Sequence, residues 1–117
     1  MINVKEEIIA VLVEEDYSLS DVEAIELFWV EDGGYKKAKV PFLSISRSVH
    51  KNEFESIFET KGHQLYNNGY GSQLLYGTIW MKDGTWFDRG EYDGSEWWEY
   101  RRRPEIPEYL KEISNVL

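Results

Sequence analysis

Two Asp-Gly dipeptides, ten residues apart, constrain the fold of this chain more than any other feature of its sequence. Asp83-Gly84 and Asp93-Gly94 are of the kind that joins antiparallel strands through two-residue turns. They divide an aromatic and β-branched stretch into three short segments with the composition of strands. The sequence therefore predicts a three-stranded antiparallel meander, with strands at Gln73–Met81, Thr85–Tyr92 and Ser95–Arg102.

The two turns also predict the register of the meander, because a two-residue turn fixes which residues face each other. Around the second turn we expect Arg89 to face Trp98, and around the first we expect Met81 to face Trp86. Side chains then alternate between the two faces of the sheet. A slip of one residue would exchange the faces, so the assignment depends on both turns.

One face of the predicted meander is more aliphatic, and we expect it to pack against the helices. Its members are Leu75, Gly77, Ile79, Met81, Trp86, Asp88, Gly90, Tyr92, Trp97 and Glu99. The second face carries aromatic rings with charges between them. Its members are Tyr76, Thr78, Trp80, Phe87, Arg89, Glu91, Glu96, Trp98, Tyr100 and Arg102.

We expect the second face to be a binding surface, because Trp, Tyr and Arg dominate the energetic centres of protein interfaces. Arg89 can also stack on Trp98 as a cation–π pair. The alternative is that the first hairpin or the N-terminal helix covers this face, so that the rings belong to the core. The predicted binding residues are Tyr76, Trp80, Arg89, Glu91, Glu96, Trp98 and Tyr100.

Helical patterns occur in three places. Asn3 and Glu6 have the spacing of a capping box at the start of the first helix. The apolar face of that helix is Val4, Ile8, Val11 and Leu12. Ser48 is expected to cap a second helix that runs to Thr60 and is closed by Gly62. Pro107 suits the first turn of a last helix. The apolar face of the last helix is Ile106, Leu110, Ile113 and Leu117.

Residues 22–30 can be read as a helix or as a strand. A capping-box spacing at Ser20 favours a helix, whereas the alternating apolar residues favour a strand. We predict a hairpin with its turn at Asp32-Gly33-Gly34 and a return strand over Tyr35–Leu43, in which Pro41 is typical of an edge strand.

Together these elements predict one α+β domain over residues 1–117, in the order α-β-β-α-β-β-β-α. An antiparallel sheet, made of a hairpin plus the meander, is expected to pack with three helices. The hydrophobic content of 42% is sufficient for a folded core.

The chain has no cysteine, which excludes disulfides, thiol nucleophiles and cysteine-based metal centres. We predict no metal site and no cofactor. No apolar run approaches the ~20 residues of a membrane helix, and no signal peptide is recognised. We therefore expect a cytoplasmic protein without membrane contact.

The formal charge of −9 is unevenly distributed along the chain. Residues 1–32 carry −9, residues 33–52 carry +5, residues 53–100 carry −6 and residues 101–117 carry +1. An acidic chain is unsuited to direct binding of nucleic acid, which requires a basic footprint. The charge instead favours a protein partner with a basic surface.

No catalytic set emerges, and we predict no catalytic residues. His50 lies near Ser48 without a defined acid, and His63 fits a helix end equally well. Asp88 and Glu99 are expected to face each other, as paired carboxylates do in glycosidases. A sheet of this size, however, offers no obvious deep cleft, so an enzyme is the third alternative for function.

The segment from Gly77-Thr78-Ile79-Trp80 through Tyr92-Asp93-Gly94-Ser95-Glu96-Trp97-Trp98-Glu99-Tyr100 resembles the Trp- and acid-rich segments of small accessory proteins of tailed bacteriophages. The resemblance implies an inhibitor of a host enzyme or defence complex, in some such proteins by imitation of DNA. The segregated charge of this chain departs from the nearly uniform acidity of the strongest DNA mimics.

The leading hypothesis is therefore a small acidic protein that acts by protein–protein contact, plausible as an inhibitor. A carbohydrate- or small-ligand-binding module, in which the same rings stack on a sugar, is the alternative. An exposed aromatic face is equally compatible with a homodimer.

Overall fold

The computed structural model describes residues 1–33, 36–69 and 72–114, with the side chains of residues 1–30, 38–69 and 72–111. The predicted hairpin residues Gly34 and Tyr35 lie outside the described residues, as does Leu117 of the last helix. The side chain of Ile113 also lies outside them.

The first helix begins where its capping residue predicts. Helix α1 spans Val4–Glu14, and the Asn3 side chain accepts a hydrogen bond from the Glu6 N–H at 3.2 Å. Its predicted apolar face is confirmed, since three of the four residues are fully buried and Val11 is partly buried. Strand β1 (Ile2–Asn3) immediately precedes the helix and pairs with the equally short β4 (Leu65–Tyr66).

The main sheet has five antiparallel strands in the order β3-β2-β5-β6-β7. The strands are β2 (Val22–Gly33), β3 (Lys36–Ser46), β5 (Leu75–Met81), β6 (Trp86–Tyr92) and β7 (Ser95–Arg101). The hairpin and the meander are thus confirmed, and pairing of β2 with β5 joins them into one sheet. The predicted turn at Asp32-Gly33-Gly34 is wrong for its first two residues, because Asp32 and Gly33 still pair with Lys37 and Lys36 at the end of β2. Residues 22–30 form a strand, and Pro41 lies in edge strand β3 as predicted.

The middle helix is shorter and more interrupted than predicted. Helix α2 (Arg47–His50) is followed by a single 3₁₀ turn and then by α3 (Phe54–Lys61). The capping residue is Ser46 and not Ser48, because Ser46 has extended backbone at the strand end and its hydroxyl accepts from the Val49 N–H at 3.2 Å. Lys51 has a φ of 45°, which is incompatible with a continuous helix.

The last helix, α4 (Glu108–Ser114), follows Pro107 as the sequence predicts. Its expected packing is wrong for the described residues, because Ile106 is 58% exposed and Leu110 is 44% exposed. Pro104 and Pro107 favour extended backbone in the preceding residues, and residues 102–107 join β7 to α4 without regular secondary structure.

The core lies on one face of the five-stranded sheet. Val4, Ile8 and Leu12 of α1, with Phe54 and Phe58 of α3, join one cluster of buried residues. The sheet contributes Val22, Ile25, Leu27, Leu43, Ile45, Leu75, Ile79, Met81, Phe87 and Trp98. The α+β class is confirmed. The opposite side of the sheet, which we call the outer face, contributes none of these buried core residues.

Candidate binding surface on the outer face of the sheet

The outer face differs from the predicted one because the first turn of the meander has three residues and not two. The Met81 N–H donates to the Thr85 carbonyl at 2.9 Å, so the loop is Lys82-Asp83-Gly84. Gly84 has a φ of 90°, as the last residue of a three-residue hairpin loop requires. Trp80 therefore faces Trp86, one residue away from the predicted pairing of Met81 with Trp86.

Because of the extra loop residue, β6 and β7 are each rotated so that the opposite side chains face the helices. The second turn has the predicted register, with Arg89 opposite Trp98. Strands β6 and β7 consequently stay aligned with each other, but each presents its other side to the helices. The predicted faces are thus wrong for these two strands and right for β5, where Leu75, Ile79 and Met81 are buried.

The seven predicted binding residues do not form one surface. Tyr76 and Trp80 lie on the outer face, whereas Arg89, Glu96, Trp98 and Tyr100 lie on the side covered by the helices. Trp98 is only 6% exposed and Tyr100 is partly buried. Glu91 is exposed at the end of the β6–β7 hairpin, where its carboxylate accepts from the Gly94 N–H at 3.0 Å.

Three of these residues, Arg89, Glu96 and Trp98, instead build or border a buried polar cluster, whereas the Tyr100 hydroxyl lies 3.0 Å from that of Tyr17. The Arg89 guanidinium lies 2.5 Å from the Glu96 carboxylate and 3.3 Å from that of Glu7 on α1. It also lies 4.8 Å from the Trp98 ring centroid, which confirms the predicted cation–π pair. The cluster links helix α1 to the sheet, so its role is structural.

Glu96 and Tyr66 complete the hydrogen bonding of this cluster. The Glu96 carboxylate accepts from the backbone N–H groups of Leu74 and Leu75, at 2.8 and 3.1 Å. The Tyr66 hydroxyl donates to Glu7 at 2.5 Å. Burial, followed by this hydrogen bond, raises the pKa of Tyr66 well above its ordinary value.

The outer face carries three rows of side chains that run across the strands. The first aromatic row consists of Trp80 and Trp86, which face each other. The polar row takes one residue from each strand and consists of Ser44, Glu26, Thr78, Asp88 and Glu99. The second aromatic row consists of Phe28, Tyr76 and Trp97. Three carboxylates and two hydroxyls therefore lie between two bands of rings.

The rings of the outer face are accessible and held in place. Trp80 is 42% exposed and Trp97 is 37% exposed. Trp97 covers Gly90 as predicted, since a Cβ on that glycine would lie 2.6 Å from the indole nitrogen. The Trp86 indole N–H donates to the Asp88 carboxylate at 3.0 Å, which fixes the ring against the polar row. The face thus presents pre-oriented aromatic groups.

Two cations of the chain already lie on the outer face. The Lys39 ammonium is 4.3 Å from the centroid of the Tyr76 ring. Arg101 lies 2.8 Å from Glu99 and 3.9 Å from Asp88, the facing carboxylates that the sequence predicts. Because Arg101 lies between them, these two acids are an ion-pair network and not an isolated acid–base pair.

Two shallow grooves follow the polar row. One, of about 530 Å³, is lined by residues that include Phe28, Tyr76, Thr78, Asp88 and Arg101. The other, of about 260 Å³, is lined by residues that include Glu26, Ser44, Trp80 and His50. Together they follow the polar row from Ser44 to Asp88.

Sequence reasoning missed Trp86, Trp97, Phe28, Glu26 and Asp88 as members of this surface. A signal was present in β2, where Glu26 and Phe28 alternate with the apolar Ile25 and Leu27. That alternation indicates a two-sided strand, and its pairing with β5 brings the outer residues beside Tyr76 and Thr78.

Both histidines make local structural contacts. The Nδ1 atom of His50 accepts from the Ser46 N–H at 3.1 Å, and that of His63 from the Asn3 amide at 3.0 Å. In the described part of the chain, no group of three or more His, Asp or Glu side chains is placed to hold a metal ion.

Asp83 anchors the first turn of the meander. Its carboxylate accepts from the Thr85 hydroxyl and N–H at 2.6 and 2.9 Å, and from the Tyr17 hydroxyl at 2.5 Å. These hydrogen bonds stabilise the ionised carboxyl and lower the pKa of Asp83. Partial burial and the bond to Asp83 raise the pKa of Tyr17.

Comparison with protein-family models, with curated proteins and with solved structures gives no match to this chain. Its function is therefore argued from the geometry of the outer face. Within residues 1–33, 36–69 and 72–114, no helix is long and apolar enough to cross a membrane.

Proposed function

We propose that this chain is a protein-binding protein whose outer face holds its partner. The observation that supports this function is the uncovered aromatic face, with Trp80 and Trp97 each more than one third exposed. Trp and Tyr are enriched where protein interfaces bind most strongly. Large exposed apolar patches on small domains commonly mark interaction sites.

The charge of the chain favours a basic partner. Glu14, Glu15 and Asp16 are exposed at the end of α1, in a chain whose formal charge is −9. Such a field attracts a basic protein and speeds its association at low salt. The inhibitory role implied by the resemblance to phage accessory proteins stays a prediction. Lys39 and Arg101 on the outer face do not favour imitation of DNA by that surface.

Affinity capture with matched variants tests this function. Trp80→Ala removes an outer-face ring that is 42% exposed, whereas Tyr109→Ala removes a ring of α4 that is 62% exposed. We expect a partner protein to be retained by the native chain and by Tyr109→Ala, and to be lost with Trp80→Ala. Equal retention by both variants, with both folded by circular dichroism, would contradict the assignment.

Binding of a neutral glycan is the second candidate, because the aromatic rows flank hydrogen-bonding groups such as Thr78 and Asp88. Sugar rings stack on Trp and exchange hydrogen bonds with adjacent carboxylates. A titration of Trp fluorescence with defined neutral oligosaccharides separates the two candidates. A saturable change that is lost in Trp80→Ala would favour the glycan.

A further inference from the structure

We propose that the outer face takes a basic helix of the partner, with Arg or Lys side chains on the polar row and apolar side chains on the aromatic rows. The inference rests on the proposed function, because it names the kind of segment that the same surface binds. Two observations support it: the spacing of the three rows, and the carboxylates of the polar row between the two aromatic rows.

The spacing of the rows fits the width of a helix. Trp80 and Tyr76 lie four residues apart on β5, which corresponds to ~13 Å along a strand. An α-helix with its side chains is about 10–12 Å wide, so it fits between the two aromatic rows. The polar row crosses five strands, or ~19 Å, which is the length of a helix of about 13 residues.

The charges of the polar row favour basic side chains on the side of the partner helix that faces the sheet. Glu26, Asp88 and Glu99 lie in this row, and Arg101 pairs with the last two. Glu26 accepts a long hydrogen bond of 3.4 Å from Ser44, and no described basic side chain forms an ion pair with it. Acids thus outnumber bases in the row, and Glu26 is available to a cation from outside.

The two cations that the chain itself provides show how such a partner would be held. Lys39 over Tyr76 is a cation on a ring, and Arg101 between Asp88 and Glu99 is a guanidinium on carboxylates. Arg and Lys of a partner would find both kinds of contact along the grooves. A nucleic-acid backbone would be repelled by the same carboxylates.

The occupants that compete with a basic helix are a neutral apolar segment and a second copy of the chain. Arg102 and Arg103 are exposed after β7, so a second copy could supply basic groups of its own. The proposal commits to a foreign helix, because the chain is acidic as a whole and two copies repel each other.

A displayed library of helical peptides of about 14 residues, selected on the full chain, tests the proposal. The selected peptides are expected to be enriched in Arg or Lys two turns apart, with apolar residues on both sides of these positions. Their affinity should fall about tenfold in Glu26→Gln and again in Asp88→Asn, as expected for charged hydrogen bonds. Glu6→Gln, which removes an exposed acid at the start of α1, is the matched control and should leave the affinity unchanged.

Three results would overturn the inference. They are selection of peptides without basic residues, equal affinities for Glu26→Gln and Glu6→Gln, and a dimer of the free chain that dissociates in Trp80→Ala. If capture of a partner required Trp80 but not Glu26, the proposed function would stand and only the basic helix would be refuted. If capture required neither Trp80 nor Glu26, the proposed function would be refuted as well.

Discussion

Arg89 on β6 and Glu7 on α1 lie 3.3 Å apart, and this contact connects the first helix of the chain to the middle of the meander. The Arg89 side chain is 2% exposed, and the Glu96 side chain on its other side is 1% exposed. A buried cation between two acids is costly to form but far more costly to leave incomplete.

Removal of the guanidinium should therefore destabilise the fold severely. We expect Arg89→Met to lower the free energy of unfolding by about 3–5 kcal/mol, because the buried Glu96 and the largely buried Glu7 lose their counter-ion. Arg101→Met, which removes an exposed ion pair, should cost less than about 1 kcal/mol. Urea denaturation measures both values. Equal effects would show that burial of the Arg89 cluster does not matter.

Tyrosine ionisation should limit stability on the alkaline side. The pKa of Tyr66 is raised by burial and by its bond to Glu7, so the folded chain holds this proton more tightly than the unfolded chain. That stabilisation is complete below about pH 10, the unfolded pKa, and is lost as the pH rises towards the folded pKa. Tyr66→Phe should flatten the alkaline decline of the unfolding free energy.

Absorbance at alkaline pH provides an independent measurement for the same prediction. Tyr17 and Tyr66 should ionise above the ordinary range of a tyrosine, because the pKa of each is raised. If Tyr66→Phe leaves the late part of the titration unchanged, the late proton is not the one held by Glu7.

Gly77 should not tolerate a side chain. It has a φ of 155°, and a Cβ placed there would lie 2.3 Å from the Glu26 carbonyl oxygen of the neighbouring strand. We expect Gly77→Ala to cost about 1–3 kcal/mol, measured by thermal unfolding. Gly69→Ala is the control, because a Cβ there meets nothing closer than 3.8 Å. A neutral Gly77→Ala would mean that β2 and β5 are further apart than the structure places them.

Two tryptophans of the meander should separate stability from binding. Trp98 is 6% exposed and Trp80 is 42% exposed, so Trp98→Ala should cost about 3–5 kcal/mol. Trp80→Ala should cost less, about 1–2 kcal/mol, because a large part of that side chain already lies in water. Acrylamide quenching of the remaining Trp fluorescence reports which ring was removed. The assignment of faces would fail if Trp80→Ala proved the more destabilising change.

The two Asp-Gly turns show how far sequence determined the fold and where it stopped. At the second turn Asp93 and Gly94 both have positive φ, 51° and 85°, which is the two-residue turn that the dipeptide favours. At the first turn only Gly84 does. The Asp83 side chain accepts bonds from Thr85 and from Tyr17, 66 residues away in the chain, and these hold the longer loop.

The candidate site could be predicted only in part, because the two turns of the meander differ in length. Alternation within each strand was predictable, and so were the pairs of β6 with β7, because both depend on local pattern and one turn. The face that each strand presents to the helices depends on the loop before it. The face on which Tyr76 and Trp80 lie could therefore be predicted from β5. The face on which Trp86 and Trp97 lie could not be predicted without knowledge of the three-residue loop.

The number of residues in the loop Lys82-Asp83-Gly84 determines which side of β6 and β7 faces the helices. Loss or gain of one residue there would turn two whole strands over, so that Trp98 would meet water and Trp97 would be placed under the helices. Single-residue insertions and deletions in this loop should therefore be rarer among descendants of the chain than substitutions on the outer face itself. The length of a short exposed loop decides which half of the aromatic residues of β6 and β7 a partner can reach.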